Sequence, residues 1–371
     1  MGRARPTIVA ATACAVFAGF LPNAGAGLKG TARASVAGNR IEVKSKPFFP
    51  LMLIDQCSSD AAVRARHLGI NLILNESCPG VSALRQLTDI GRGSLAALPI
   101  AARGVRGPAL AGWAFPDEPE GNGWTPASLR QAHAYPRGGA DGLLSFLTTG
   151  PGFFRSPYTP TNVAPALYGQ FAHLADVAGF DLYPLAHCST DLGAVYDAQL
   201  AFNRLAGAMP TFQWIETGPS RPGYCGGYHM TPAELRAEVW LAVAGGARGI
   251  GYFTHTWSPA HKELDVRTPL QHELIKTNSL LSALRPALVG DTVASSVDST
   301  SIKVIARKAG RSTFVIAVNA SRSTLDAQFH VRALRDGPLR VFGEQRSVSS
   351  STGYVSDTFR PLAVHVYVQT S

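Results

Sequence analysis

Two glutamates in this sequence stand where carboxyl groups can do paired acid–base chemistry. Glu118 lies in residues 112–119, GWAFPDEP, and Glu216 lies in residues 213–218, QWIETG, each after a short apolar run. One carboxyl group of such a pair can donate a proton to a leaving oxygen, while the other attacks the reacting carbon or activates water. We therefore take Glu118 and Glu216 as the candidate catalytic pair.

The elements that must position these glutamates follow a βα repeat, in which short apolar strands ending in polar or aromatic residues alternate with helical stretches. We expect strands at residues 48–54, 71–74, 95–100, 109–115, 143–147, 177–182, 211–215 and 249–253. Helices are expected at 59–68, 125–134, 192–205, 232–244 and 270–288, among others. Eight strands and eight helices are the count of a (β/α)8 TIM barrel. The predicted fold class is therefore α/β, with a TIM barrel over residues 41–290.

A second domain is expected over residues 291–371, where alternating patterns without helices are typical of an antiparallel β-sandwich. We expect its strands at 301–305, 313–318, 327–331 and 362–368, and we expect the serine-rich stretch 347–351 to be a loop. The competing architecture for the first domain is a doubly wound open sheet, which would have a glycine-rich phosphate turn after its first strand. Residues 55–58, DQCS, stand there instead.

Polar residues at the C-terminal ends of the barrel strands are the best candidates for the active site, because the active site of a TIM barrel lies at that face. The expected strand ends are acidic and aromatic, which suits sugars: their ring faces pack on aromatic side chains and their hydroxyl groups need hydrogen-bond partners. The candidate substrate-binding residues are Asp55, Asn75, Asp117, Asp181, Tyr183, His255 and Trp257. We interpret Asp55, Glu76 and His187 as hydrogen-bonded rim residues rather than acids or bases.

Residues 112–119 resemble the strand-four Asn-Glu-Pro motif of clan A glycoside hydrolases. In that clan the glutamate is the acid/base, so the resemblance implies this role for Glu118 and the role of the strand-seven nucleophile for Glu216. Residues 179–184, GFDLYP, are similar to the clan's strand-six segment, whose tyrosine often contacts the nucleophile. Trp257 resembles the strand-eight tryptophan at the sugar platform. The implied activity is retaining hydrolysis of an oligo- or polysaccharide without cofactor or metal.

Asp117 departs from this pattern, because the clan has asparagine before the acid/base. An aspartate can still accept a hydrogen bond from a sugar hydroxyl, and its charge beside Glu118 would suit a general acid. Asp117 is equally compatible with a site that no longer hydrolyses its substrate. Two alternatives therefore stay open: a catalytically lapsed carbohydrate-binding or cell-wall protein, and a transglycosylase on the same barrel.

The N-terminus has the pattern of a secretory signal peptide over residues 1–26. Arg3 and Arg5 precede an apolar run at 8–21, and the small residues AGA at 24–26 suit cleavage. The apolar run is shorter than the roughly 20 residues of a transmembrane helix. A lipoprotein anchor through Cys14 would need a Leu-like residue where Ala11 stands. We expect a secreted protein, extracellular or associated with the periplasm or cell wall, with no membrane span.

Four cysteines remain after that signal: Cys57, Cys78, Cys188 and Cys225. In an oxidising compartment they predict two disulfides, for which sequence alone permits three pairings. Because Cys57 and Cys78 follow neighbouring strands, as do Cys188 and Cys225, we expect these two pairs. The spacing does not suit a metal site. The formal charge is +9 with basic residues scattered, so nucleic-acid binding is not indicated. The oligomeric state stays open.

Overall fold

The computed structural model describes residues 30–58, 60–78, 94–134, 142–156, 164–218, 225, 228–256 and 261–370. The expected signal peptide and Trp257 lie outside these ranges.

A small antiparallel sheet that the sequence did not predict precedes the barrel. Its three strands are β1 (Ala34–Ala37), β2 (Arg40–Val43) and β3 (Lys46–Phe48). The backbone N–H groups of Ala32 and Ala34 donate to the carbonyls of Leu110 and Gly142, near the N-terminal ends of two barrel strands. Ile41 packs against the inward-facing barrel side chains. This sheet therefore covers the end of the barrel opposite the C-terminal strand ends.

Eight parallel strands form a closed barrel in chain order, which confirms the predicted fold. The strands are β4 (Leu51–Ile54), β5 (Leu72–Leu74), β6 (Leu95–Pro99), β7 (Leu110–Ala114), β8 (Leu144–Thr149), β9 (Val177–Asp181), β10 (Thr211–Glu216) and β11 (Gly249–Phe253). Closure comes from pairing of β11 with β4, in which Met52 stands opposite Gly251. The strands begin and end within a few residues of their predicted bounds.

Large aromatic side chains fill the barrel interior, and glycines on neighbouring strands make room for them. A Cβ at Gly179 would lie 2.2 Å from the ring of Phe212, and one at Gly251 would lie 2.0 Å from the ring of Trp214. Both distances are below van der Waals contact, so only glycine fits at either position. The indole N–H of Trp214 is satisfied within this core by the hydroxyl of Thr148, at 3.1 Å.

The helices are fewer than predicted in the part of the chain that the structure describes. They are α1 (Ala61–His67), α2 (Pro126–Ala132), α3 (Pro165–Ala172), α4 (Gly193–Ala206), α5 (Pro232–Ala244), α6 (Thr268–Ala283) and α7 (Arg285–Val289). The fully described connection between β6 and β7 has only a 3₁₀ turn at Ile100–Ala102, so the prediction of a helix after every strand is wrong here. Gly104, Gly107 and Pro108 interrupt that segment and disfavour a helix. The expected helix at 270–288 is divided before α7, where Pro286 cannot donate a backbone hydrogen bond.

The C-terminal region contains two antiparallel sheets that share one apolar core. One has the order β12-β14-β15-β20-β17-β18 and the other β13-β16-β19. The strands are β12 (Asp291–Val293), β13 (Ser295–Val297), β14 (Ile302–Ala309), β15 (Ser312–Asn319), β16 (Leu325–Val331), β17 (Gly337–Val341), β18 (Ser347–Ser350), β19 (Tyr354–Phe359) and β20 (Val364–Thr370). The loop predicted at 347–351 is therefore wrong. Val348 pairs with Leu339 of β17, so this serine-rich stretch is an edge strand.

The outer face of the larger sheet packs on α5 of the barrel. Ile316 and Val366 belong to the same apolar cluster as Trp240 and Leu241. Among the described residues, no helix has the length and apolarity that crossing a bilayer requires.

Candidate active site

Carboxyl groups from three strand ends meet at the C-terminal mouth of the barrel. Glu76 follows β5, Asp117 and Glu118 follow β7, and Asp181 is the last residue of β9. Asp117 lies within hydrogen-bonding distance of Glu76, and Asp181 within hydrogen-bonding distance of Glu118. We call these four residues the acidic cluster. Two carboxyl groups in such contact are compatible only when a proton lies between them.

Glu76 is held at the mouth by a chain of hydrogen bonds from the barrel core. Trp214 donates to the hydroxyl of Thr148, which donates to Glu76 Oε1 at 2.8 Å. The other oxygen, Oε2, is buried and receives no hydrogen bond from the described protein groups. Burial, and then the charges of Asp117 and Asp55, raise the pKa of Glu76 well above its ordinary value. Glu76 therefore carries a proton that it can share with Asp117.

Asp181 is the proton carrier next to Glu118. Its Oδ1 is buried without a protein donor among the described groups. Burial raises the pKa of Asp181 well above the ordinary value, and the charges of Glu118 and Asp117 raise it further. A protonated Asp181 can donate to the Glu118 carboxylate. The geometry thus gives Glu118 a neighbouring acid.

The backbone of Glu118 is in the left-handed region, with φ of +41°. Its N–H donates to the Thr148 carbonyl at 3.2 Å, which fixes the turn after β7. A non-glycine residue in this conformation costs about 1–3 kcal/mol, and such strain occurs preferentially at functional sites. The turn thereby directs the Glu118 carboxyl group toward Gly150, where a Cβ would lie 3.1 Å from Glu118 Oε1.

Asp117 reaches solvent at the mouth, but its carboxyl group is surrounded by protein. This desolvation, together with the adjacent charge of Glu118, raises the pKa of Asp117 to about 7. The residue that stands where the resemblance has asparagine is therefore protonated over part of the neutral range. A protonated aspartate, like an asparagine, can donate a hydrogen bond.

Glu120 is a further carboxyl group at the mouth that the sequence did not single out. Its Oε1 accepts from the N–H of Gly150 at 2.5 Å, and its Oε2 is buried without a partner in the described chain. Burial raises the pKa of Glu120 to about 7. Burial and the charges of Glu120 and Glu118 also raise the pKa of Tyr168 to about 12, so its hydroxyl stays protonated.

Glu216 is the last residue of β10, the strand next to β9 and its Asp181. Its Oε1 and Oε2 accept from the backbone N–H groups of Leu185 and Ala186, each at 2.8 Å. These two residues belong to a 3₁₀ turn that follows β9. The fully buried Glu238 of α5 lies within hydrogen-bonding distance of Glu216. Burial raises the pKa of Glu216 to about 7, opposed by the two N–H groups and by Glu238.

Tyr183 has Glu216 and the acidic cluster residues Asp117, Glu118 and Asp181 as neighbours. Burial raises its pKa well above the ordinary value, and the charges of Asp181, Asp117, Glu118 and Glu216 add to this effect. Its ring packs against that of Phe253 at 5.4 Å between centroids. The structure thus assembles Glu118 with Asp117 and Asp181, assembles Glu216 with Glu238, and puts Tyr183 beside both.

Asp55 and Asn75 hold the loop that carries Glu76. Asp55 Oδ1 accepts from the N–H groups of Glu76 and Ser77 at 2.6 and 3.1 Å, and its Oδ2 accepts from the Ser77 hydroxyl. Asn75 is fully buried, and its Oδ1 accepts from the N–H of Gln56. These contacts describe a bracing role for both residues. For Asp55 this agrees with its interpretation as a rim residue.

His255 joins the loop after β11 to the end of β4. Its Nε2 lies 3.0 Å from the Ile54 carbonyl and its Nδ1 lies 3.0 Å from His261 Nε2. Since a carbonyl only accepts, Nε2 carries the hydrogen and Nδ1 accepts from His261. Burial lowers the pKa of His255 and favours this neutral form. The described contacts of His255 thus join it to the end of β4 and to His261.

Two disulfides join the loops of this face, and both predicted pairs are confirmed. Cys57 is bonded to Cys78 and Cys188 to Cys225, with Cα separations of 5.4 and 4.9 Å. The first connects the loops after β4 and β5, and the second connects those after β9 and β10. The backbone that carries Glu76 and the turn that binds Glu216 are therefore both cross-linked.

Comparison with known proteins gives matches only among solved structures, since no protein-family model and no curated protein matches the chain. A GH30 endoxylanase from Clostridium papyrosolvens is 11% identical, with a TM-score of 0.51 over 92% of this chain and 99% of that one. A family 5 glycoside hydrolase from Bacteroides vulgatus is 11% identical, with a TM-score of 0.53 over 91% and 92%.

A maltogenic alpha-amylase from Thermotoga neapolitana is 7% identical, with a TM-score of 0.56 over 87% of this chain and 99% of that one. At such identities the likeness concerns the fold. The chain thus has the fold of these glycoside hydrolases, an eight-stranded parallel barrel followed by antiparallel sheets, and the resemblance drawn from the sequence is confirmed at that level.

Proposed function

We propose that this protein is a secreted glycoside hydrolase that cleaves an oligo- or polysaccharide at the mouth of the barrel. The observation that carries the proposal is the contact between Asp181 and Glu118, a carboxyl group with a strongly raised pKa against a second carboxyl at a barrel mouth. Glycosidic cleavage requires a protonated acid next to the leaving oxygen. The fold neighbours named above are glycoside hydrolases, and two disulfides suit an exported protein.

In the proposed mechanism Glu118 is the acid/base and Glu216 the nucleophile. Glu118 takes up the proton that it shares with Asp181 and gives it to the leaving oxygen as the bond from the anomeric carbon to that oxygen breaks, and a Glu216 oxygen forms a bond to the same carbon. Water then attacks the glycosyl ester and returns a proton to Glu118, and Glu216 leaves as a carboxylate. The Leu185 and Ala186 N–H groups support this role because they stabilise the ionised, attacking form of Glu216.

Asp181 is the alternative nucleophile within the same reaction, since it becomes a carboxylate once its proton has passed to Glu118. It is favoured by its contact with Glu118, whereas both oxygens of Glu216 already accept backbone hydrogen bonds. The two assignments predict different variants to be rescued by a small external nucleophile. With an aryl glycoside and azide, we expect Glu216→Ala to regain turnover and form a glycosyl azide while Asp181→Ala does not. Rescue of Asp181→Ala alone would transfer the nucleophile role to Asp181.

A glycan-binding protein without turnover is the second candidate. The observation in its favour is Asp117, which replaces the asparagine of the resembling motif and sits in a shared-proton contact with Glu76. Under that function the folded wild-type protein would bind oligosaccharides and release no product. Turnover of aryl glycosides by the wild type separates the two candidates, and a series of leaving groups then tests the role of Glu118. If Glu118 is the acid, Glu118→Ala keeps most activity on the best leaving group and loses it on the poorest.

A further inference from the structure

The outward face of the three-stranded sheet β13-β16-β19 has an exposed aromatic residue. Tyr354 is 48% exposed, and the only other exposed large hydrophobic residues in the described chain are Val63 and Tyr228. The Tyr354 ring packs against that of His330 on the neighbouring strand, with centroids 4.6 Å apart. An aromatic ring held in place by a neighbour but open on its other side is a suitable platform for the apolar face of a sugar.

Polar side chains continue from Tyr354 along the same two strands. Tyr354, Ser356 and Thr358 of β19 stand opposite His330, Gln328 and Asp326 of β16. Because alternate residues of a strand share a face, all six point outward. At about 3.4 Å per residue these three pairs span about 14 Å, which suits a short oligosaccharide better than a single ring.

A groove lies at the polar end of this row, with a volume of about 470 Å³. Its lining includes Asp298, Asp326, Gln328, Ser356 and Thr358. Their side chains are held by mutual hydrogen bonds, such as Thr358 Oγ1 to Asp326 Oδ1 at 2.6 Å and Gln328 Nε2 to Ser356 Oγ at 3.2 Å. Carboxylate, amide and hydroxyl groups in one groove offer both acceptors and donors, as sugar hydroxyls require.

The charges of the groove select the kind of glycan. The charge of Asp357 is compensated by Arg346 at 2.8 Å, and its carboxylate also accepts a hydrogen bond from the Tyr367 hydroxyl at 2.7 Å. Asp298 and Asp326 have no basic partner among the ion pairs of the described residues, so the groove is acidic. An acidic lining repels uronic acids and other anionic sugars and accepts hydrogen bonds from neutral or amino sugars.

We propose that this surface, from Tyr354 to Asp298, is a second glycan-binding site for neutral or amino-sugar oligosaccharides. It lies on the sheet remote from α5 and uses none of the residues of the barrel mouth. The proposal does not depend on turnover in the barrel. Its chemistry fits a role in holding a polysaccharide while another part of that polysaccharide is hydrolysed at the barrel mouth.

Retention of the full chain on immobilised neutral polysaccharides tests this site, with calorimetric titration of cello-, xylo-, malto- and chito-oligosaccharides. We expect Tyr354→Ala and Gln328→Ala each to weaken binding about tenfold, the loss of about 1.4 kcal/mol of aromatic or hydrogen-bond contact. Val63→Ala, which removes an exposed apolar side chain on α1, is the matched control and should bind like wild type.

Glu118→Gln separates this site from the barrel, because it should abolish hydrolysis and leave retention intact. Unchanged binding in both the Tyr354 and Gln328 variants would overturn the proposal. Binding of Ca²⁺ without any oligosaccharide would do so too, since it would make the groove a cation site. An inactive wild type that is still retained through Tyr354 would contradict the proposed hydrolysis and support this site.

Discussion

At the scale of single residues, Glu238 helps to set the pKa of Glu216. Glu238 is fully buried, and neither of its carboxyl oxygens receives a hydrogen bond from a described donor. Burial and the charge of Glu216 raise the pKa of Glu238 well above its ordinary value. The raised pKa favours its protonated form, which can donate to Glu216. With Leu185 and Ala186, it is the third donor that stabilises ionised Glu216.

We expect the removal of this donor to change the pH dependence of turnover. Because the pKa of Glu216 is about 7 and its ionised form attacks in the proposed mechanism, kcat/KM should rise with pH through about 7. Glu238→Leu removes the donor, so the Glu216 pKa rises and the acid limb of the profile moves to higher pH. Glu238→Gln keeps an N–H donor and should leave the limb near its wild-type position. Equal shifts in both variants would show that Glu238 acts through packing alone.

The sequence could predict Glu118, Asp181 and Glu216 because each stands at or just after the end of an apolar strand. It could not predict Glu238, which lies on a helix 22 residues after Glu216 in the chain. Only the three-dimensional packing of α5 against β10 brings these two together. The available signal was a glutamate within the apolar run of α5, since such a charge is rarely buried without a partner.

At the scale of elements, the turn Leu185–His187 is the support for Glu216. It is anchored by the adjoining Cys188–Cys225 disulfide and by its hydrogen bonds to Glu216. Its precise position therefore depends on a covalent link between two loops.

Replacing Cys188 and Cys225 by serine should lower both stability and kcat. Loss of the cross-link costs about 2–4 kcal/mol of unfolding free energy, and displacement of the turn weakens the amide donors to Glu216. The matched control is the Cys57 and Cys78 double serine variant, which should lose similar stability with a smaller fall in kcat. Denaturant melts and steady-state rates measure the two effects. A kcat unchanged in the first variant would contradict the supporting role of the turn.

A second element-scale contact joins the β-domain to the start of α5. Arg322, between β15 and β16, forms an ion pair at 2.5 Å with the fully buried Glu234. Glu234 also completes the N-terminal capping box of α5 with Thr231.

We expect Arg322→Ala to destabilise the protein by about 1–3 kcal/mol, because a buried carboxylate loses a charged donor. Lys262→Ala is the control, since the Lys262 side chain is 62% exposed and its ion pair with Asp265 contributes less than about 1 kcal/mol. Urea denaturation of the two variants makes the comparison. Equal effects would mean that the burial of Glu234 does not decide the strength of this contact.

Element prediction succeeded where burial on both faces made a strand apolar throughout, as in β11, whose bounds match the prediction. It failed where the pattern was short or polar. Strand β18 consists of serine and valine and shows little apolar alternation, so its pairing with β17 decides its conformation. The helix predicted after β6 is absent from the described connection because glycine and proline outweigh the barrel's usual repeat.

At the scale of the whole molecule, raised carboxyl pKa values couple stability to pH. Among the described residues, six acids have a pKa above the ordinary value in the folded state: Glu76, Asp117, Glu120, Asp181, Glu216 and Glu238. Between their unfolded values, near 4, and their raised folded values, the folded state binds more protons than the unfolded state. Their contribution to stability is therefore full below about pH 4 and is lost as pH rises.

We expect the free energy of unfolding to fall between about pH 5 and pH 7.5. Denaturant melts across this range measure it. The double variant Glu76→Gln, Asp181→Asn cannot ionise at two of these positions, and its stability should depend less steeply on pH. Glu344 and Asp357 have lowered pKa values and act at more acidic pH. Burial lowers the pKa values of His133, His187 and His255, which opposes the fall below about pH 6.5. The fall should therefore be steepest between about pH 6.5 and pH 7.5. Stability that rises with pH over this interval would contradict the proton sharing in the acidic cluster.

Release of reducing sugar from a panel of neutral and anionic glycans tests whether the barrel mouth hydrolyses glycosidic bonds, with wild type measured beside Glu118→Gln and Glu216→Gln after a check of folding. We expect release by the wild type and a loss of about 10²–10⁴-fold in Glu118→Gln, the size of a general-acid contribution. A similar or larger loss is expected in Glu216→Gln. Full activity in both folded variants, or a folded wild type without activity on the whole panel, would contradict the proposed hydrolysis.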